Sequence, residues 1–285
     1  MGVDWFINNN CTIDYGYNIL TWDRKVDSYV VTGEALCFPD VYDPECINNK
    51  RENKNKFYTD RCINCDNYIS RPEKNNHFVF IVPSYNNDSW IERNLKSIIQ
   101  QTYKNWRLIY INDCSEDKTE EKYNKLITGF ENKCMFINNT QKYGQAFNRY
   151  RSYNMCENNE YCILLDGDDW LAHKYVLKYL NYFIQLYDVD MTYGKFKWFL
   201  DNKIQNYNFP RDYEQNVITK KAYRRDTWRC MHLRVIKAQH LKMVNPIDFL
   251  QENGDFIFCS TDMVESFASL ELCKGRHKQC SETLM

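Results

Sequence analysis

Three carboxylates fall within four residues at Asp166-Gly167-Asp168-Asp169, directly after the apolar run Tyr161-Cys162-Ile163-Leu164-Leu165. Acids held this close repel one another unless a cation sits among them. Hard divalent ions, Mg²⁺ or Mn²⁺, favour oxygen ligands and are held by one or two carboxylates together with substrate phosphates. The same run also reads as acids at a helix N-terminus, where the macrodipole favours negative charge, and a helical pattern follows closely enough for Asp169 to serve so. Two other apolar runs end in polar residues: Phe80-Ile81-Val82 opens into Pro83-Ser84-Tyr85-Asn86, and Tyr110-Ile111 into Asn112-Asp113-Cys114-Ser115. Brought to one edge, these three exits make a pocket suited to a nucleotide and its cation.

The elements that must carry those exits alternate. Short β-branched and aromatic runs at 77–82, 107–111, 134–137 and 161–165 read as buried strands. Between and after them, apolar residues at helical spacing mark helices at 89–102, 118–130, 145–155 and 173–186; the last carries Val176, Leu177, Leu180, Phe183 and Ile184 on one face. A β-α-β-α order of this kind predicts an α/β fold, a mostly parallel sheet with helices on both faces. In such sheets ligands sit at the carboxyl ends of the strands, which is where the polar exits lie. The first part of the chain differs: it is rich in Asn, Asp, Cys and Tyr, and it ends in the polar stretch Arg71-Pro72-Glu73-Lys74-Asn75-Asn76. The expected organisation is a small irregular Cys/Asn-rich module at 1–76 and an α/β domain at 77–285.

Four blocks in order carry a resemblance. They are Phe80-Ile81-Val82-Pro83-Ser84-Tyr85-Asn86, Leu95-Lys96-Ser97-Ile98-Ile99-Gln100-Gln101-Thr102-Tyr103, Tyr110-Ile111-Asn112-Asp113-Cys114-Ser115 and Leu164-Leu165-Asp166-Gly167-Asp168-Asp169. Together they make the segment from Phe78 to Leu186 resemble family-2 glycosyltransferases with the GT-A (Rossmann-like) fold. The resemblance implies transfer of a sugar from a nucleotide-sugar donor, a UDP-sugar, to an acceptor hydroxyl with inversion, aided by Mn²⁺ or Mg²⁺. It implies that Pro83, Tyr85 and Asn86 line the nucleotide and that Asp113 meets the uracil ring, although Asn112 stands where an Asp is usual. Lys142 and the segment Gly144 to Asn148 match the family's loop and helix start beneath the nucleotide; Lys142 reads equally as a solvated loop cation. Asp166 would face the ribose or hold water around the ion, and Asp168 would ligate the metal. An acceptor hydroxyl holds its proton far above neutral pH and needs a base. The family's base opens a later helix, which Ser260-Thr261-Asp262 fits; Asp262 is the expected base, Glu265 the fallback, and a helix-capping role for Asp262 the alternative. The stretch Thr227-Trp228-Arg229-Cys230-Met231-His232-Leu233-Arg234 resembles a segment bordering the active site in some relatives, and is otherwise expected to start an amphipathic helix.

Composition excludes several classes. Lys and Arg number 37 against 38 Asp and Glu, so the formal net charge of -1 offers no field for nucleic acid or an anionic membrane. No apolar stretch approaches the ~18 residues needed to span a bilayer, so no transmembrane segment is expected. Met1-Gly2-Val3-Asp4-Trp5-Phe6 lacks the basic and apolar regions of a secretory signal, which points to a cytoplasmic location with mostly free thiols among the thirteen cysteines. Cys62-Ile63-Asn64-Cys65 has zinc-knuckle spacing, but a structural zinc site takes four ligands, usually two such pairs. Two rival functions stay in view. A nucleotidyltransferase would carry a Gly-rich loop with Arg and Lys after its first strand, where this chain has Pro83-Ser84-Tyr85-Asn86-Asn87. A non-catalytic relative serving as a binding module would have no need of the intact acidic run.

Overall fold

The computed structural model describes residues 12–14, 19–26, 29–36, 74–200, 203–206 and 212–285. The chain divides into two compact units, Met1–Glu73 and Lys74–Met285. In the first, strands β1 (Thr12–Asp14), β2 (Ile19–Val26) and β3 (Tyr29–Leu36) form an antiparallel sheet in that order. The sequence suggested no regular element there, yet the aromatic and β-branched run Tyr29-Val30-Val31 pairs with Val26, Lys25 and Arg24 of the neighbouring strand. Cys62 and Cys65 lie outside the described residues.

The second unit is built on a seven-stranded sheet. Its strands are β4 (Phe78–Ser84), β5 (Trp106–Asn112), β6 (Cys134–Asn138), β7 (Tyr161–Leu164), β8 (Met191–Lys195), β11 (Arg234–Lys237) and β12 (His277–Thr283), in the spatial order β12-β8-β11-β7-β4-β5-β6. Strands β4, β5, β6 and β7 run parallel, as do β8 and β12. Strand β11 alone is antiparallel to both its neighbours, pairing Arg234 with Leu164 and Val235 with Thr192. A separate hairpin joins β9 (Lys197–Leu200) to β10 (Lys203–Asn206). The sheet is thus mostly parallel, as the alternation of elements implied, with one reversed strand that the alternation did not reveal.

Every residue of β4 is buried, as expected of a central strand covered on both faces. Side chains alternate between those faces. Val79, Ile81, Ile109 and Ile111 enter one core with Ala146 and Tyr153 of helix α3 (Gln145–Tyr153). Tyr110 turns the other way, 4.9 Å from the ring of Tyr123 on helix α2 (Thr119–Leu126). Helix α1 (Ile91–Ile99) packs beside α2. On the α3 side lie α6 (Ala238–Lys242) and α7 (Thr261–Leu272). Helix α4 (Val176–Tyr187) buries Val176, Leu177, Leu180, Phe183 and Ile184, the face its spacing marked, and α5 (Gln215–Lys220) is a short surface helix. Each such fully buried aliphatic or aromatic side chain contributes about 1.5–3 kcal/mol. Among the described residues, no helix is long and apolar enough to cross a membrane.

Candidate functional site

The acidic run forms a tight turn at the exit of β7. The amide of Asp169 donates to the carbonyl of Asp166 at 3.1 Å, which folds Asp169 back beside Asp166 and leaves Asp168 exposed at the tip. Helix α1 holds this turn from below: the buried Asn94 donates from Nδ2 to the carbonyls of Asp166 (3.0 Å) and Asp169 (2.7 Å). Gly167 is required by close approach, not by backbone angle. A Cβ there would lie 2.5 Å from Asn87 Nδ2 and 2.9 Å from both Ser84 Cβ and Ser84 Oγ. The β7 exit is therefore pressed against the β4 exit, and two of the three polar exits meet directly.

Charge is distributed unevenly along the turn. Burial alone would raise the Asp166 carboxyl, but the Arg149 guanidinium, with that of Arg234, holds it below the usual range. Asp169 is pushed up to about 7, by burial first and then by the charges of Asp166 and Asp168. Asp168 is also raised, by the desolvation of its carboxyl within the turn, although the residue as a whole is exposed, and by the Asp166 charge. His232, on the loop entering β11, is pushed down to about 3 by burial and by Arg234, so its imidazole is neutral at physiological pH. One ligand atom each from Asp166, Asp169 and His232 lies within 4.8 Å of the others. This set takes in Asp166 and Asp169 and adds His232; Asp168, the expected ligand, stands at the tip of the same turn.

Beneath Asp166 lies a buried ionic chain. Arg149 on α3 is completely buried; one Nη bonds Asp166 Oδ1 and the other reaches Glu265 Oε2 at 3.0 Å. Tyr153, one turn further along α3, donates its hydroxyl to Glu265 Oε1. Glu265, on α7, is fully buried and burial raises its carboxyl. That location removes the fallback base: no acceptor can reach it. Asp262, the expected base, lies in the first turn of α7, partly exposed, with Oδ2 3.5 Å from Nη1 of the buried Arg234. Ser260, which precedes the helix, makes no side-chain cap. The stretch ending in Arg234 starts no helix; it runs as loop into β11. Pairing of Arg234 with Leu164 sets this segment next to the acidic turn.

The β5 exit carries the third group of polar residues. Asp113 is 4% exposed, and its carboxylate accepts from Asn139 Nδ2 (2.8 Å) and from the amides of Tyr143 (2.9 Å) and Gly144 (2.8 Å). Burial opposes its ionisation, and these donors outweigh burial and lower its carboxyl. The side chain expected to meet a base is thus engaged in shaping the 139–144 loop. That loop delivers Lys142, whose Nζ sits 3.5 Å from the ring centroid of Tyr85. Both side chains are exposed. Asn86, with φ of 52°, ties the β4 exit to the β5 exit: its amide donates to Ser115 Oγ at 2.9 Å, and its Oδ1 accepts from the Glu116 amide at 2.9 Å. Pro83 is buried in β4 opposite Ile111.

The structure therefore gathers Tyr85, Lys142 and the Asp113-held loop at the β4 and β5 exits, and Asp166, Asp169 and His232 at the β7 exit. Sequence reasoning missed Asn94, Arg149 and Asn139. Asn94 had a legible signal, an amide at a core-facing position between Ile91, Leu95 and Ile98. Arg149 sits just past the block read as helix start, on the face that also buries Ala146 and Tyr153.

The family model described as glycosyl transferase family 2 matches residues 79–236. An uncharacterized glycosyltransferase of Haemophilus influenzae is 32% identical over 116 residues, covering 41% of this chain and 45% of that protein. The UDP-Glc:alpha-D-GlcNAc-diphosphoundecaprenol beta-1,3-glucosyltransferase WfgD of Escherichia coli is 30% identical over 95 residues, 33% of this chain and 36% of its own. Among solved structures, Staphylococcus aureus TarS 1-349 in complex with UDP superposes with a TM-score of 0.55 at 19% identity, covering 73% of this chain and 59% of that one. The mannosyltransferase PcManGT of Pyrobaculum calidifontis, in complex with GDP-Man and Mn2+, gives 0.51 at 16% identity over 80% and 64% of the two chains. These two likenesses are of fold. The chain spans less than half the length of the two curated relatives.

Proposed function

The chain belongs to glycosyl transferase family 2, and on that premise we propose that it moves a sugar from a nucleotide-sugar donor, a UDP-sugar, to an acceptor hydroxyl with the aid of a divalent cation. The observation that most supports this is the convergence of Asp166, Asp169 and His232 at the β7 exit, pressed against the β4 exit by the contact at Gly167. The two carboxylates suit Mn²⁺ or Mg²⁺, and the neutral imidazole favours the softer Mn²⁺ of the two. Among the described residues, the buried His232 Nδ1 has no hydrogen-bond partner, and it stands 3.8 Å from Asp169 Oδ2, so it is available as a ligand atom. Asp166, Asp169 and His232 would hold the cation, which when bound would supply positive charge to a departing nucleoside diphosphate.

The chain's own residues account for the remaining tasks. Tyr85 offers an aromatic face to the nucleotide base, Lys142 places positive charge over it, and Asp113 keeps the loop carrying Lys142 in register. Asn86 and Pro83 hold the β4 exit in shape. Asp262 takes the proton of the attacking hydroxyl, oriented by Arg234, and attack from the face opposite the leaving group gives inversion. The compartment we propose is the cytoplasm.

The deciding measurement is hydrolysis and transfer from a panel of UDP- and GDP-sugars with Mn²⁺, with Mg²⁺ and with chelator. Turnover of at least one donor that chelator abolishes is expected, and His232→Ala and Asp169→Asn should each raise the half-saturating Mn²⁺ concentration by tenfold or more. Absence of metal-dependent turnover with every donor would sink the reading. Turnover confined to GDP-sugars would overturn the assignment of UDP alone.

A further inference from the structure

Glu265 has no part in the chemistry above, yet it is a fully buried carboxyl on the helix that carries the proposed base. Such a group is costly to bury unless every polar atom is satisfied. Here both oxygens are taken: Oε2 by Arg149 Nη1 and Oε1 by the Tyr153 hydroxyl. The other Nη of Arg149 bonds Asp166 Oδ1, and Gln145 Nε2 reaches the same oxygen at 2.7 Å. Two donors thus converge on Oδ1, while among the described residues no hydrogen bond reaches Oδ2. The carboxylate is locked by one oxygen and presents the other.

We infer that Glu265 is a positioning residue, which through Arg149 fixes the Asp166 carboxylate so that Oδ2 faces the cation. Arg149 has a long, flexible side chain, and α3 alone determines only where that side chain begins. Glu265 and Tyr153 hold its far end: Glu265 fixes Nη1, and the planar guanidinium then dictates the position of Nη2. The chain Tyr153–Glu265–Arg149–Asp166 also ties α7 to the acidic turn, so the helix bearing Asp262 and the cation site are set in one frame. Replacing outer-shell partners of this kind typically costs about 10- to 100-fold in metal affinity or activity. The inference rests on the sugar-transfer reading.

The test uses the full chain and three substitutions, each assayed for kcat, donor KM, half-saturating Mn²⁺ and Tm. Glu265→Ala removes both acceptors. Glu265→Asp keeps the charge but draws the oxygens back by about 1.5 Å, one carbon–carbon bond. Glu265→Gln keeps the length and an acceptor for Arg149 but removes the charge. The expected order is that Ala and Asp each raise half-saturating Mn²⁺ about tenfold and lower kcat, while Gln stays within about threefold of wild type. A residue that only supports the core would lower Tm and leave the Mn²⁺ requirement unmoved, and that result overturns the inference. So does restoration by Asp with failure of Gln, which would make the role one of charge, not position. If the Ala variant does not fold, the order of Asp and Gln decides. If no Glu265 variant folds, Tyr153→Phe decides: a two- to threefold rise in half-saturating Mn²⁺ supports the inference and an unchanged value overturns it. An inactive wild type would sink the sugar-transfer reading and this inference together, whereas an active wild type with unchanged variants sinks this inference alone.

Discussion

Replacing Gly167 by Ala should disable the site without touching any charged group. The added Cβ would lie 2.9 Å from Ser84 Cβ and Oγ and 2.5 Å from Asn87 Nδ2. Ordinary carbon contacts lie at ~3.5–4.0 Å, so the two exits must part by roughly 0.6–1 Å. The Asn87 amide can rotate aside at the loss of its bond to Ser84 Oγ (3.1 Å). Ser84 cannot: its Cβ is fixed to the backbone of a buried strand, and its Oγ accepts from the Tyr110 hydroxyl at 2.8 Å. The cost in stability is that of overpacking, about 1–3 kcal/mol, or a Tm lower by roughly 3–10 °C in a unit of this size. The cost in rate is larger, because a displacement of about 1 Å in a catalytic constellation costs on the order of 100-fold. Metal-dependent donor turnover and a thermal melt on the same sample separate the two. The double variant Gly167→Ala with Asn87→Ala should regain little, since the Ser84 contacts persist. Wild-type turnover with an unchanged Tm in Gly167→Ala would show that the exits are not pressed together.

Three further expectations follow the same logic. Asp113→Ala strands three donors and should cost about 3 kcal/mol, with donor KM rising more than kcat falls, as read from melts and steady-state kinetics. Asp262→Asn should lower kcat by a factor on the order of 100 or more while leaving donor KM within about twofold; a matching loss of donor affinity would contradict its role as base. Asp190, buried among His240, Arg276 and Lys237 at 3.1, 3.0 and 3.3 Å, has its carboxyl lowered; burial opposes this, and the bonds to His240 and Arg276 outweigh it. Its folded value lies below an unfolded value of about 3.9, so its contribution is complete above about pH 5 and is lost as pH falls through the folded value. Asp190→Asn should therefore cost about 3 kcal/mol at pH 7, and its deficit against wild type should shrink on titration below about pH 4.

The sheet and its polar exits were legible because burial on both faces leaves continuous apolar runs, and the residues ending those runs stand out against them. The runs found from sequence fall within one or two residues of β4 to β7. Helix ends were less legible: the pattern at 173–186 begins three residues before α4, because His173 lies in a turn whose carbonyl accepts from Gln101 Nε2 at 2.8 Å. The stretch before β11 misled, since Arg and His among apolar residues suit an amphipathic helix as well as an extended segment bordering an ionic site. Asp113 was found, but the spacing of a strand exit cannot show that three loop donors occupy its carboxylate. Glu265 and Arg149 were invisible as a pair because they lie on helices far apart in the chain; only the fold makes them neighbours.

The reversed strand β11 has a consequence for how the molecule comes into being. Strands β8 and β12 join β7 only through it, so a nascent chain that has emerged as far as β7 exposes that strand's unpaired edge, a template for pairing with other chains. The strand that closes this edge also brings His232 and Arg234 to the acidic turn. Shielding the half-made sheet and assembling the proposed cation site are therefore one event, and a chain stopped short of residue 234 is expected to be both sticky and unable to form that site.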